Sequence, residues 1–468
     1  MGQVQNCGMS ATNNKLGKMK TTFNVLLAVL VALLLAGCRK PLPSDAANWS
    51  KPEVVSKTSD SLGSSFAVHK GKNGLVAINT DTKALAISLL KEDGKSWKET
   101  IGSGIDSMFF SCDPGSSCCV ASSGATIGNT LKVDFSIGSI STLGDFTVST
   151  RQTWQADKDV IFGKTEPGVS FGGLNNQPVP QIFSGGMVSD NTIYIPYCIR
   201  GETKEGKMIM ASKGPFDNGV IYSLDSGHTW QRQHISSSAS ADPFVCKTTG
   251  YYYYIAGNSD ENELWFARKP EDKSDWSAPQ PLSKHLKLTG FQPISCTTEG
   301  DTVHVCWLDR RHEKERANPV YPWRGNYEIV YSQRKDSGSG WSKEVILSEG
   351  LFYSFHPSLS VEDDRIVVAW AGVQSAPDGH SHWSPNDIYF VTSQDRGQTW
   401  SRPVRVTDNI KSGITAGTPQ VALQNGVIHL FYAQGKLNFK EAAAGMRLLN
   451  QPPWPIYYQQ RPFPSGNP

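Results

Sequence analysis

The residues best suited to chemistry fall in a few polar stretches. Between 309 and 324 the chain reads Asp309-Arg310-Arg311-His312-Glu313-Lys314-Glu315-Arg316, then Tyr321, Trp323 and Arg324. Arg200 and Glu202 follow one apolar run, Tyr353 and His356 precede another, and His380, His382 and Trp383 follow a third. Asp242 stands just ahead of Pro243. Guanidinium groups stay charged at every working pH and grip a carboxylate through two parallel N–H donors. Several around one hollow suit an anionic ligand, while Trp and Tyr suit stacking on the apolar face of a sugar ring. The 309–316 run sets five cationic or histidine groups against three carboxylates, so a self-paired solvated loop is an equal reading of it. His380 and His382 have no third ligand at metal spacing, and the sequence calls for no metal and no cofactor.

These groups are far apart along the chain, and only a repeating architecture would gather them. Six segments end in a polar turn and a tryptophan: Trp97, Trp154, Trp230, Trp276, Trp341 and Trp400. Their intervals are 57, 76, 46, 65 and 59 residues, a loose period of the kind that marks repeat folds. Within 291–349 a short strand (Pro293–Glu299), a Gly300-Asp301 turn, an alternating strand (Thr302–Leu308), a third strand (Tyr327–Gln333) and a fourth (Ser342–Ser348) follow one another. The pattern predicts an all-β chain, a six-bladed β-propeller with four antiparallel strands per blade. Pro243, Pro293, Pro357 and Pro419 align as openings of first strands, and three residues on come the small Cys246, Cys296, Ser360 and Ala422. First strands crowd a central channel, which favours small side chains. Pro419–Leu423 and Val427–Tyr432 are expected to complete a first blade whose other strands lie in 63–103, closing the ring. The propeller then spans 63–436, preceded by a polar tether (39–62) and followed by a Pro-rich tail (437–468) that packs on the ring as an extended segment or stays disordered.

Ser223-Leu-Asp-Ser-Gly-His-Thr-Trp230 and Ser393-Gln-Asp-Arg-Gly-Gln-Thr-Trp400 share Ser, Asp, Gly, Thr and Trp at equal offsets. This signature resembles the Asp-box of bacterial neuraminidase repeats, which closes the hairpin between third and fourth strands. The resemblance implies a structural role for Asp225, Gly227, Trp230, Asp395, Gly397 and Trp400. Asp accepts backbone N–H bonds, Gly takes a positive φ, and Trp packs between sheets. It also implies a sialidase-like superfamily, in which an arginine cluster holds a sialic acid carboxylate, a Tyr is the nucleophile and an Asp the acid/base. Carried over to this chain, Asp309, Arg200, Arg310 and Tyr321 become catalytic candidates, with Arg324, Trp323, His356 and Trp383 as substrate-binding candidates. The family's Phe/Tyr-Arg-Ile-Pro motif is absent. Ser64–Lys70 carries no Arg, and Tyr194-Ile195-Pro196 lies in another repeat.

Ahead of all this, Lys15, Lys18 and Lys20 precede the apolar run Val25–Leu35, which is sized for a signal peptide and too short to span a bilayer. Leu35-Ala36-Gly37-Cys38 resembles the bacterial lipobox, implying lipidation at Cys38 after removal of the leader within 1–38. Met19 is an alternative start. Arg39 in place of Asp implies outer-membrane rather than inner-membrane sorting in a Gram-negative envelope. Export favours one or two structural disulfides among Cys112, Cys118, Cys119, Cys198, Cys246, Cys296 and Cys306, with connectivity open. A net charge of +2 gives no reason to expect nucleic acid. The sequence thus leaves three roles: a lipid-anchored hydrolase or binder of glycans and glycoconjugates, a non-catalytic propeller presenting its rim to a glycan or protein partner, and an envelope assembly factor.

Overall fold

Short strands joined by tight turns pair first with their neighbours in sequence, because closing a small loop costs little chain entropy. Seven antiparallel sheets result. Sheet I holds Ser65–Gly71, Gly74–Thr80, Ala84–Leu90 and Trp97–Ser103; sheet II holds Phe109–Asp113, Ser117–Ile127, Thr130–Ile140 and Phe146–Gln155. In sheet III two short pieces, Gln181–Ile182 and Met187–Ser189, precede Thr192–Arg200, Phe216–Ser223 and Gln231–Ser236. Sheet IV holds Ala241–Lys247, Tyr251–Asn258, Glu263–Pro270 and Gln280–Ser283. Sheet V holds Ile294–Glu299, Thr302–Asp309, Glu328–Lys335 and Val345–Ile346. Sheet VI holds Tyr353–Glu362, Arg365–Val373, Asp387–Ser393 and Val404–Arg405. In sheet VII, Ile414–Gln424, Val427–Lys436 and Ile456–Pro462 are joined by Glu53–Ser56.

This computed structural model describes residues 42–465 except 57–64, 72–73, 81–83, 91–96, 104–108, 114–116, 128–129, 141–145, 156–180, 183–184, 190, 201–215, 238–240, 259–262, 285–293, 312–326, 375–385, 410–413 and 437–453. Pro43–Pro468 forms one unit. Among the described residues there is no α-helix, and no helix is long and apolar enough to cross a membrane. The first strand of each sheet lies against the first strand of the next, from I through VII, and that of VII also lies against that of I. Antiparallel four-stranded sheets so arranged are consistent with a propeller.

Two expectations change. The sheets number seven among the described residues, not six, because 65–103 supplies all four strands of sheet I and needs nothing from the C-terminal strands. Those strands instead recruit Ile456–Pro462, from the stretch read as a tail, and Glu53–Ser56, from the stretch read as a tether. In addition, Trp154 does not follow a third-to-fourth-strand turn; it lies near the far end of the fourth strand of sheet II, opposite Val133.

Sheet V is covered on both faces, so the alternating pattern expected for Thr302–Leu308 does not produce a wet face. Every residue of Thr302–Asp309 is buried. Tyr253, Phe266, Val303, Val305 and Trp307 pack between sheets IV and V. The polar members must find partners indoors. His304 Nδ1 lies 2.7 Å from the Tyr331 hydroxyl, which donates to Gln333 Oε1. Sheet VII repeats the device with His429, Tyr458 and Gln460. Burial lowers both imidazoles to about 4, leaving them neutral at neutral pH.

Inner strands expose edge N–H groups that require acceptors. At the V–VI seam Ser295 Oγ accepts from Leu359 N at 3.1 Å. At the VI–VII seam Ser358 and Ser360 accept from Val421 and Leu423 N, both at 2.9 Å, while Glu362 accepts from the amides of Asn425 and Gly426. Between III and IV, buried Lys269 donates to the Tyr194 hydroxyl at 2.6 Å, and its ammonium sits 4.9–5.8 Å from the rings of Tyr194, Tyr222, Tyr252 and Trp276.

The two near-identical turns join third and fourth strands of sheets III and VI, as the sequence reading placed them. In each, the Asp carboxylate accepts from the Thr N–H (2.8 Å) and Thr hydroxyl four residues on, and the Ser hydroxyl caps the Gly N–H. Those bonds hold Asp225 at about 2 and lower Asp395 as well. Gly227 and Gly397 have φ of 83° and 80°. Trp400 packs edge-on against Tyr331 of the neighbouring sheet, ring centroids 4.8 Å apart.

The chain entering sheet VII binds two outer edges in turn. Asp45 N–H donates to the Arg405 carbonyl and Arg405 N–H to the Pro43 carbonyl along the outer strand of sheet VI. Trp49 packs edge-on against Phe390, and Ser50 bonds to Gln459 and Gln460 before Glu53–Ser56 pairs with Ile456–Tyr458.

Candidate functional site

Second strands end, and third strands begin, at the end of each sheet opposite the two Asp turns. In sheet V this end brings Asp309 into register with Glu328, two buried carboxylates across one strand pair. Asp309 Oδ1 accepts the Arg311 N–H at 2.9 Å and its other oxygen is ion-paired with Arg311 Nε. The same guanidinium reaches Glu344 (2.6 Å) and Ser283 Oγ of sheet IV (3.1 Å). Burial pushes the Asp309 carboxyl upward, and the Arg311 charge and hydrogen bonds pull it part of the way back. Both oxygens of Asp309 are therefore engaged in bracing the strand end.

Arg310 is placed differently. Its guanidinium lies over the Tyr327 ring, 4.9 Å from the centroid. Tyr327 meets Tyr353 edge-on at 5.1 Å, Tyr353 meets Phe355 at 5.1 Å, and Phe355 meets His356 at 5.2 Å. One unbroken row thus runs from the strand end of sheet V to the first strand of sheet VI. Two of the candidates read from sequence, Arg310 and His356, stand at its ends.

His356 has φ of 53°, an uncommon conformation for a residue with a side chain. It sits where pairing slips between Phe355 and Ser358. A bulge of this kind bends an inner strand and re-aims a side chain. Sheet VII repeats it at Thr418, φ 45°, between Gly417 and Gln420, and sheet IV slips between Ala241 and Phe244. Each slip straddles an X-Pro pair: Asp242-Pro243, His356-Pro357, Thr418-Pro419. These prolines do not open their strands; the strands begin earlier, at Ala241, Tyr353 and Ile414. The signal was in the sequence, since proline cannot donate to a ladder and is admitted mid-strand at bulges. Burial lowers His356 to about 4, so its imidazole is neutral at neutral pH.

Sequence reasoning missed Asp387. It opens the third strand of sheet VI as Glu328 opens that of sheet V, and Asp217 occupies the matching register position in sheet III. Asp387 Oδ1 accepts from Thr407 Oγ1 (2.8 Å) and Asn409 N (2.7 Å), while Oδ2 has no hydrogen bond and faces Arg405 Nη1 at 3.8 Å. Burial raises this carboxyl to about 6 despite those bonds. An acid recurring at third-strand starts was the available signal.

Arg200 ends the second strand of sheet III opposite Phe216. Glu202, His312, Glu313, Lys314, Glu315, Arg316, Tyr321, Trp323, Arg324, His380, His382 and Trp383 lie outside the described residues. Among the described residues no group of three or more His, Cys, Asp or Glu could hold a metal ion.

No family model matches this sequence, and no curated protein matches it. Among solved structures, YCF48 bound to a D1 peptide is 11% identical, with a TM-score of 0.43 over 91% of this chain and all of that one. Phage phi92 endosialidase is 8% identical, TM-score 0.42, over 90% of this chain and 70% of its own. The Trypanosoma rangeli sialidase in complex with sialic acid is 10% identical, TM-score 0.41, over 88% of this chain and 59% of its own. At such scores these likenesses carry no argument about the chemistry of this chain.

Proposed function

We propose that this protein is an exported, lipid-anchored seven-bladed propeller of Asp-box type that binds an acidic glycan at its mouth. Arg310 supplies the cation that meets the ligand's carboxylate. The reading rests on the row from Arg310 through Tyr327, Tyr353 and Phe355 to His356. A guanidinium held over an aromatic ring is pre-oriented, so less of its freedom is lost on binding an anion. The neutral imidazole at the far end offers a hydrogen bond without adding charge. Sheets ordered I to VII, with VII against I, support a closed ring, and closure faces these strand ends inward.

Binding is favoured over hydrolysis because Asp309, the acid candidate adjacent to Arg310, has both oxygens engaged by Arg311. We assign it a positioning role. Lipidation at Cys38, which would tether the chain to the bacterial outer membrane, is part of the same proposal and rests on the Leu35–Cys38 sequence.

The test is isothermal titration of the full chain without its lipid against sialylated, uronic-acid and neutral oligosaccharides, alongside a fluorogenic sialoside. Acidic sugars are expected to bind, with at least a tenfold loss in Arg310→Ala, partial rescue in Arg310→Lys and no turnover. Turnover abolished by Asp309→Asn would replace binding by catalysis. Failure of every acidic sugar to bind would sink the glycan reading and leave a protein partner as the alternative.

A further inference from the structure

Two described cysteines meet at the seam between sheets IV and V, and a third lies on the other face of sheet V. Cys246 lies on the first strand of sheet IV, Cys296 on the first strand of sheet V, and Cys306 on the second strand of sheet V. The sulfurs of Cys246 and Cys296 are 2.8 Å apart, closer than two non-bonded sulfurs normally rest, and the two thiols are unlinked. Cys306 is fully buried on the opposite face of sheet V, in register with Ser295.

The neighbouring seams show what this position does. Cys246, Ser360 and Ala422 occupy one register position in their inner strands, whereas Cys296 matches Leu359, one residue on, and so faces back toward sheet IV. Where a serine stands there, its hydroxyl takes an amide of the next strand, as Ser360 does from Leu423. Side chains at this place therefore point across the seam toward the next sheet. At the IV–V seam the group pointing across is a thiol, and the group receiving it is another thiol.

We propose that Cys246 and Cys296 are a cross-sheet disulfide pair that closes by exchange with an external disulfide, while Cys306 remains a thiol. A thiolate from one cysteine attacks the donor's disulfide and releases one donor thiolate. The second cysteine then displaces the other donor half. Two protein thiols become one S–S bond, and the donor disulfide is reduced to two thiols. The bond would span 50 residues of chain and tie two inner strands that otherwise share only packing at this point. Small first-strand residues suit the position, since a cystine needs its two backbones close together.

The test uses the purified full chain, reduced and then equilibrated with oxidised glutathione, alkylated and digested with trypsin and a glutamate-specific protease. Cleavage after Glu299 separates Cys296 from Cys306, so the partner of Cys246 is read directly by mass. The expected product is a linked Cys246–Cys296 peptide with Cys306 alkylated. The apparent Tm should fall on adding dithiothreitol, and this response should vanish in Cys246→Ser and persist in Cys306→Ser. Mixed disulfides with glutathione at both positions, a Cys296–Cys306 or Cys246–Cys306 link, or two alkylated thiols would overturn the proposal. The peptide map alone decides, even if a variant fails to fold.

Discussion

Burying neutral histidines should make this fold acid-labile through identifiable side chains, and His304 allows the effect to be isolated. Its ordinary value near 6.5 drops to about 4 in the folded chain because burial penalises the imidazolium. A folded value below the unfolded one means that the unfolded state takes up the proton first. The stability contributed by a neutral His304 is therefore complete above about pH 6.5 and is lost as pH falls toward about 4. Going from pH 7 to pH 5, one such group costs about 2 kcal/mol. His429, lowered to the same value, should cost a similar amount. Asp387 works in the opposite direction: its folded carboxyl, raised to about 6, takes up a proton that the unfolded chain does not, returning about 1 kcal/mol over the same interval. The overall pH slope is a mixture, so the useful quantity is a difference between proteins. His304→Gln keeps a group able to bond the Tyr331 hydroxyl but removes the titration. Urea unfolding of wild type and His304→Gln at pH 7 and pH 5 should show the variant losing about 2 kcal/mol less across the interval. Equal losses in the two proteins would refute the argument, because His304 would then titrate alike folded and unfolded.

Other outcomes follow from particular contacts. Gly397→Ala should cost about 2–3 kcal/mol in urea unfolding, since it adds a Cβ at φ 80° only 2.8 Å from the Tyr331 hydroxyl. Gly300→Ala, at φ 56° with nothing within 4 Å, should cost only about 1 kcal/mol, and equal costs would show that the contact with Tyr331 is irrelevant. Arg311→Ala should destabilise by about 3 kcal/mol because it strands a buried carboxylate, whereas Asp309→Asn should cost less; the reverse order in denaturant midpoints would contradict the bracing role. Lys269→Ala should lower the Tm measured by circular dichroism, by removing both the bond to Tyr194 and the packing of its stem among four rings, and an unchanged Tm would exclude the cage as a structural element.

Much of the architecture was legible because its punctuation is chemical. The Ser-x-Asp-x-Gly-x-Thr-Trp turns at 223–230 and 393–400 fold through bonds among those named side chains, so their role could be read without coordinates. Trp154 misled because a Thr-Trp pair within a strand looks the same as one ending a turn. The sheet count failed where chain ends pair over long separations: nothing in Glu53–Ser56 announces a partner at Ile456, and the prolines around that segment read as the end of structure. At the site, Arg310 and His356 were chosen for their chemistry, but the row joining them depends on Tyr327 and Phe355, which read as ordinary strand residues. Asp387 was overlooked because a single acid opening a strand resembles any solvated loop end until burial is known.

The seventh sheet has a consequence for how the molecule is made. Ser50 is translated early, yet its bond to Gln459 bridges a separation of 409 residues. Until the ribosome has delivered Ile456–Pro462, the sheet of Ile414–Gln424 and Val427–Lys436 lacks two of its four strands. Pairings between such remote segments form slowly, after local hairpins have already settled. A product ending before residue 456 would thus display Val427–Lys436 as a naked, sticky edge.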